Sequence, residues 1–299
     1  MDKPGSGAFL LTAVLGMTLL LAPFARTAGE QDALAELTRQ FERDHGARIG
    51  VAIVDADGRR RWSHRGDERF PLTSTFKPLA CAAVLARVDA GKEQLDRRVR
   101  FTADDLVTYS PVTENRVETG ISLADACEAA ITLSDNTAGN LLLSAIDGPA
   151  ALTAYLRELG DESSRLDRIE PDLNEALPGD PRDTTTPLAV VETLRKLLLG
   201  DALGVESRAK LEEWMVNDQV ADGLFRAHLP AAWKIGDKTG AGGRGSRAIV
   251  AIIRPPDRIP VLAAVYVTDT AASFPERNAM IAALGARIFD LIGATAASR

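Results

Sequence analysis

Histidine, cysteine and net positive charge are all scarce in this 299-residue chain. The three histidines, His45, His64 and His228, stand far apart with no HxH or HxxxH spacing, which argues against a histidine zinc site. Acidic residues outnumber basic ones, 42 to 35, and the formal charge is −7 with the two signs interspersed. The basic footprint of a nucleic-acid binder is therefore missing. Internal repeats and low-complexity segments are absent too. The longest apolar run, Ala8 to Ala22, is shorter than the ~20 residues a bilayer span needs.

That run reads as a leader. Lys3 precedes it, Pro23 and Arg26 end it, and Ala25, Thr27 and Ala28 offer small residues for cleavage, with Arg26 departing from the ideal pattern. Residues 1–28 are thus expected to be a signal peptide, with the mature chain starting near Gly29 and exported. A periplasmic location is expected, or a secreted one if the host lacks an outer membrane. The leader has no cysteine for lipid attachment. The only cysteines, Cys81 and Cys127, each sit in an apolar helical pattern. In an exported protein such a pair usually bridges, here 46 residues apart, although two buried thiols that never meet fit the pattern as well.

Apolar spacing predicts a helix over Ala33 to Phe41. Ile49 to Val54, the turn Asp57-Gly58 and Arg61 to His64 predict a hairpin. A helix opened by "STFKPLACAAVLARVDAG" stops at Gly91, and helices follow over Ser122–Leu133, Thr137–Ile146, Pro149–Leu159, Pro187–Leu199 and Glu206–Val216. Thr186 and Pro187 make an N-cap and first-turn pair. Beyond Trp233 the pattern becomes that of strands, in "AWKIGDKT", "SRAIVAIIRP" and "IPVLAAVYVTD", before a final helix over Pro275–Ile292. Strands at both ends with helices between predict an α/β (α+β) fold: an antiparallel sheet built from both termini with flanking helices, plus an inserted all-helical lobe. The expected division is 29–72 with 217–299 as the α/β lobe and 73–216 as the helical lobe, the active site lying in the cleft between.

Ser74 and Lys77 stand one helical turn apart, which places an amine beside a hydroxyl that is a poor nucleophile without a base. Free N–H groups at a helix start would also favour an oxyanion. A lone S-x-x-K is weak evidence, expected roughly 0.3 times in a chain of this composition. Two companions follow in order, Ser134-Asp135-Asn136 between two helices and Lys238-Thr239-Gly240 at the end of a strand pattern. Lys77 can act as base only if burial or a neighbouring cation such as Lys238 depresses its pKa. Gly240 to Gly245 also satisfies G-x-G-x-x-G, but a β-branched run follows where the dinucleotide fingerprint needs a helix.

With these three motifs and the segment Arg168-Ile169-Glu170-Pro171-Asp172-Leu173-Asn174, the chain resembles the class A serine β-lactamases nearly end to end. The stretches "YSPVTE", "RLDRIEPDLNEA", "RDTTTP" and "WMVNDQV" look most like its carbenicillin-hydrolysing branch. The resemblance implies a β-lactamase/transpeptidase-like fold and hydrolysis of penicillins, with early cephalosporins, through a serine acyl-enzyme. It implies Ser74 as nucleophile, Lys77 as its partner, Ser134 as proton carrier, and Glu170 with Asn174 holding the deacylating water. The N–H groups of Ser74 and Ala241 would form the oxyanion hole. Tyr109, Asn136, Lys238, Thr239, Gly240 and Arg247 would meet substrate. Arg168 and Asp183 would pair across the neck of the Glu170 loop, Glu170-Pro171 is a candidate cis bond, and Cys81 and Cys127 match positions that some members bridge.

The resemblance implies no metal, no cofactor and no nucleic acid. A small-molecule β-lactam is the expected partner, the mature chain has no expected membrane contact, and monomer is the default. Lys238 and Thr239 depart from the arginine and serine often found in the carbenicillin-hydrolysing branch. Thr73 and Gly242 replace the cysteines of carbapenem-hydrolysing relatives. Penicillin-binding peptidases share the serine and lysine motifs, but the Glu170 segment separates this chain from them and from serine glutaminases, and an acylated sensor would usually be tethered to a membrane segment, where only a leader is expected here.

Overall fold

The computed structural model describes residues 21–294, with side chains from residue 28 onward. The expected leader therefore lies mostly outside the described residues. Helix α1 (Leu21–His45) is longer than its apolar spacing predicted and runs back through the expected cleavage zone. It leads into β1 (Arg48–Asp55) and β2 (Arg61–His64), the expected hairpin, and then the short β3 (Phe70–Pro71).

A 3₁₀ turn, Thr73–Phe76, precedes α2 (Lys77–Asp89). The short strands β4 (Arg98–Val99) and β5 (Ile121–Ser122) then pair with each other. The helical stretch continues with α3 (Leu123–Thr132), α4 (Asn136–Ala145) and α5 (Pro149–Glu158). After β6 (Thr184–Thr185), which pairs with β3, come α6 (Pro187–Leu199) and α7 (Val205–Val216). Ser122, Asp135 and Thr186 cap α3, α4 and α6 by accepting a backbone N–H from the first turn.

The chain returns to strands in β7 (Lys234–Ala241), β8 (Arg247–Arg254) and β9 (Val261–Thr268), and ends in α8 (Phe274–Ala294). These close one antiparallel sheet in the order β2-β1-β9-β8-β7, so the first and last strands of the chain lie side by side.

Both faces of this sheet are buried, which is why β8 and β9 read as unbroken apolar runs rather than alternating ones. Ala52, Val54, Val250, Ile252, Leu262 and Ala264 face a core shared with α2 to α7. Their sequence neighbours Val51, Ile53, Ile249, Ala251, Ile253, Ala263 and Val265 face Leu34 of α1 and Ile281, Leu284 and Ile288 of α8. Period-two alternation thus feeds two cores at once. The outer edge of β7 is the one sheet edge left beside the turn that carries Ser74.

Candidate active site

Ser74 lies in the 3₁₀ turn and not at the first turn of an α-helix as the S-x-x-K spacing suggested. The reason is local: Thr73 holds a φ of 45°, a left-handed conformation that a threonine adopts only under constraint, and α2 begins at Lys77. Strand β7 passes immediately beside this turn. A Cβ added at Gly240 would sit 2.0 Å from Thr73 Oγ1 and 3.3 Å from Ser74 N, so only glycine fits the third place of the Lys238-Thr239-Gly240 motif. Ser74 and Ala241 are thereby brought to the same end of the cleft, with Ser74 8% exposed.

Lys77 is the hub of the site. Its fully buried Nζ donates to Ser134 O at 2.7 Å and to Asn136 Oδ1 at 2.7 Å, and it lies 3.4 Å from Ser134 Oγ and from Glu170 Oε1. Burial pulls its pKa down, while the charges of Glu170 and Asp135 oppose that fall. The repulsion expected between the two lysines shows on the Lys238 side. Lys238 is itself lowered to about 8, first by burial and then by Lys77 and Arg247, against the support of Asp218 and Asp237.

Glu170 is buried on the loop between α5 and β6, after which the Glu170-Pro171 bond is cis. Asn174 Nδ2 donates to Glu170 Oε2 across one turn. The loop closes at its neck as expected: Arg168 Nε donates to Asp183 Oδ2 at 2.6 Å, and the backbone N–H groups of Asp167 and Arg168 donate to Asp183 Oδ1 at 2.8 and 2.9 Å. A cavity of about 480 Å³ lies behind its outer half, lined by Leu177, Asp180 and Arg182 on the loop and Arg48 and Arg69 on the body. The catalytic half of the loop is fixed by Asn140, which sequence reasoning missed. Asn140 Oδ1 accepts from Glu170 N at 2.8 Å and its Nδ2 donates to Glu170 O at 3.0 Å. Its signal was its place one turn after Asn136 on α4.

Tyr109 is 55% exposed at a φ of 67°, so it is not a packed core aromatic. Its carbonyl accepts from Asn136 N, and Asp135, also missed, fastens the same loop by accepting from the N–H groups of Val112 and Thr113. Arg247 is 5% exposed, not the surface charge its strand position allows. Its guanidinium donates to Asn278 Oδ1 at 2.8 Å and Gly240 O at 3.0 Å and lies over the Phe274 ring. Burial and Arg277 lower it to about 10.

Cys81 and Cys127 are bridged between α2 and α3, with Cα atoms 5.6 Å apart. The G-x-G-x-x-G glycines form the turn between β7 and β8 rather than opening a helix. Among the described residues, no helix is long and apolar enough to cross a membrane, and no group of three or more histidine, cysteine or acidic residues could hold a metal ion.

Residues 31–292 match the family model described as the β-lactamase enzyme family. Among solved structures, the reconstructed ancestral class A β-lactamase of Gram-negative bacteria is 56% identical, with 87% of this chain and 99% of that one covered at a TM-score of 0.84. A tryptophan-to-aspartate variant of that ancestor is 55% identical over 88% and 98% of the two chains, at 0.85. A protein from Rhodopseudomonas palustris assigned to class A, PenP, is 51% identical over 86% and 98%, at 0.84.

Proposed function

This chain belongs to the class A β-lactamases, serine hydrolases of β-lactams, and from that premise we propose that it turns over penicillins and early cephalosporins and so confers resistance to them. The observation that carries the reading is the buried contact of Glu170 with both Lys77 and Asn174. A trapped acyl-enzyme needs only the serine and its partners. Turnover needs a base and a water beside the ester.

Ser74 Oγ attacks the lactam carbonyl as its proton passes either directly to Lys77 Nζ or through a water to Glu170. The N–H groups of Ser74 and Ala241 receive the oxyanion. Ser134, 3.4 Å from Lys77 Nζ, hands a proton to the departing lactam nitrogen as the C–N bond breaks. Glu170 Oε1, 3.4 Å from Lys77 Nζ, and Asn174 Oδ1 are buried acceptors with no hydrogen bond to another described residue, suited to a water between them. Glu170 then takes a proton from that water as its oxygen bonds to the ester carbon; the bond from that carbon to Ser74 Oγ breaks, and the proton returns to Oγ by way of Lys77, 3.4 Å from Glu170 Oε1. Lys238, Thr239 and Arg247 meet the substrate carboxylate, Gly240 gives the ligand room along the edge of β7, Asn136 meets the drug's side-chain amide, and Tyr109 walls the cleft.

Within class A we propose that the chain lies nearest the carbenicillin-hydrolysing branch, without that branch's preference for carboxypenicillins, because Lys238 and Thr239 are the general residues. Kinetics with carbenicillin and benzylpenicillin check this: a kcat/KM strongly favouring carbenicillin would contradict it. With Thr73 and Gly242 in place of cysteines, imipenem is expected to be turned over poorly in a steady-state assay. The mature enzyme acts as a monomer in the periplasm, with 29–72 and 217–299 forming the α/β lobe and 73–216 the helical one; cell fractionation tests the location.

The deciding experiment is benzylpenicillin consumed per mole of enzyme over time. Many turnovers are expected. One equivalent followed by a plateau would mean a persistent acyl-serine and would overturn the role of Glu170.

A further inference from the structure

Three charged groups near Lys238, two of them buried, have no part in the steps above. Asp218, in the turn after α7, is 3% exposed, and Asp237, next to Lys238 on β7, is fully buried. Arg226 donates to both oxygens of Asp237, at 2.9 and 3.0 Å, and also to the carbonyls of Met215 and Val216. Asp237 therefore has its cation. Asp218 Oδ1 accepts from Val220 N at 2.7 Å, but its Oδ2 is buried with no donor among the described residues.

Lys238 is the complementary case. Its Nζ is fully buried with no hydrogen-bond acceptor among the described residues. Such an ammonium is strongly disfavoured in a dry interior unless a counter-charge faces it. The charged groups around it are Asp218 and Asp237, which support the ammonium, and Lys77 and Arg247, which oppose it, with Asp218 the largest support. Arg226 also faces Asp218 and Asp222.

We infer that Asp218 is a positioning residue for substrate recognition: it is the counter-charge that keeps Lys238 an ammonium, and so sets the upper pH at which the enzyme holds a β-lactam carboxylate. The inference rests on the reading of Lys238 as a carboxylate-binding residue. Burial raises both acids, and because Arg226 already engages Asp237, Asp218 is the carboxyl left to face Lys238. An ionised Asp218 opposes loss of the proton from Lys238, whose pKa burial lowers to about 8. An asparagine at 218 cannot supply that charge.

The test compares unmodified enzyme with Asp218→Asn and Asp218→Glu in steady-state kinetics on benzylpenicillin from about pH 6 to about pH 9.5. In D218N the alkaline rise of KM is expected to begin about one pH unit lower, a tenfold change in proton concentration, with kcat at about pH 6.5 within about twofold. D218E, which keeps the charge, retains the original profile. An unchanged or upward-moved profile in D218N, or D218E behaving like D218N, overturns the inference, since a merely structural role would not shift the limb. Should D218N fail to fold, the ε-¹³C signal of Lys238 in unmodified enzyme, assigned with Lys238→Arg, is read instead. A first inflection where the carboxyl pair ionises, ahead of the lysine's own proton loss, supports the coupling, and a single-step curve refutes it. Absence of β-lactam turnover at every pH would refute the reading of Lys238 and leave that curve unaffected.

Discussion

Glu170→Gln separates the two half-reactions most cleanly. The amide keeps the shape of the carboxylate and can still accept from Asn174 Nδ2, but it cannot take a proton from water. A positioned general base is worth about 10²–10⁴ in rate, so deacylation is expected to slow by about that factor, equivalent to about 3–5 kcal/mol on the barrier. The substitution also removes the negative charge 3.4 Å from Lys77 Nζ. At an effective dielectric constant near 20 that ion pair amounts to about 5 kcal/mol, so the buried lysine releases its proton at lower pH once Glu170 is neutral. Lys77 is then available as an unprotonated base, and acylation should persist.

Rapid mixing of E170Q with excess benzylpenicillin should show a burst of one equivalent followed by slow turnover. Intact-protein mass spectrometry should show the acyl adduct during the slow phase. Steady-state turnover within tenfold of the unmodified enzyme, without a burst, would refute Glu170 as the deacylating base. Loss of the burst itself would show that Glu170 is also required for acylation and that Lys77 cannot replace it.

Three further outcomes follow from the geometry. Replacing both Cys81 and Cys127 by alanine should lower unfolding free energy by about 3–4 kcal/mol in urea, the loop-closure value for residues 46 apart, with kcat unchanged; a free-thiol assay finding two thiols in denatured, unreduced enzyme would show that no bridge forms. Asp183→Ala leaves Arg168 and two N–H groups at the loop neck without their shared acceptor. It should cost about 3 kcal/mol of stability and lower kcat more than kcat/KM, because deacylation depends on the loop; an equal fall in both parameters would contradict that. Lys238→Met should abolish carboxylate recognition yet stabilise the fold. Lys238 is lowered from 10.5 to about 8, so the folded state binds fewer protons than the unfolded state between those values and stability rises with pH there. At neutral pH the buried ammonium therefore costs about 3 kcal/mol, to be recovered in K238M at pH 7 and measured by urea denaturation; a less stable variant would refute the sign.

Strands and helices with strong periodicity were legible to within about two residues, because their apolar spacing reflects the faces they bury. Pro187–Leu199 is the clearest case, opened by a cap and a proline that leave little freedom. The residues proposed for the site were legible where they sit in short motifs, as at Ser74, Lys77, Ser134 and Lys238. It was not legible where contacts join distant segments through common residue types. Asn140 holding the backbone of Glu170, and Arg226 holding Asp237, carry no local signature. The start of α1 was missed because its amino-terminal turns lie in the stretch read as a leader. The helix assigned to Ser74 was misread for a different reason: S-x-x-K spacing fits an α-turn and a 3₁₀ turn alike, and only the left-handed Thr73 decides between them.

The positions where local rules fail are the positions gathered around the cleft. Thr73, Tyr109 and Ser134 all hold positive φ without being glycine, and Lys77 and Lys238 bury ammonium groups completely. Each is unfavourable on its own, by order 1–3 kcal/mol for the backbone conformations. They persist because rigid neighbours leave no alternative: Thr73 is pressed by Gly240 of β7, Tyr109 is tied to Asn136, and Ser134 is held by Lys77 through its carbonyl. A sheet buried on both faces supplies the cohesion that offsets these terms. The strain is thus tied to function in a specific way. On the proposed roles, it holds Ser74, Lys77 and Lys238 in place before substrate arrives, so little reorganisation is left for the moment of reaction.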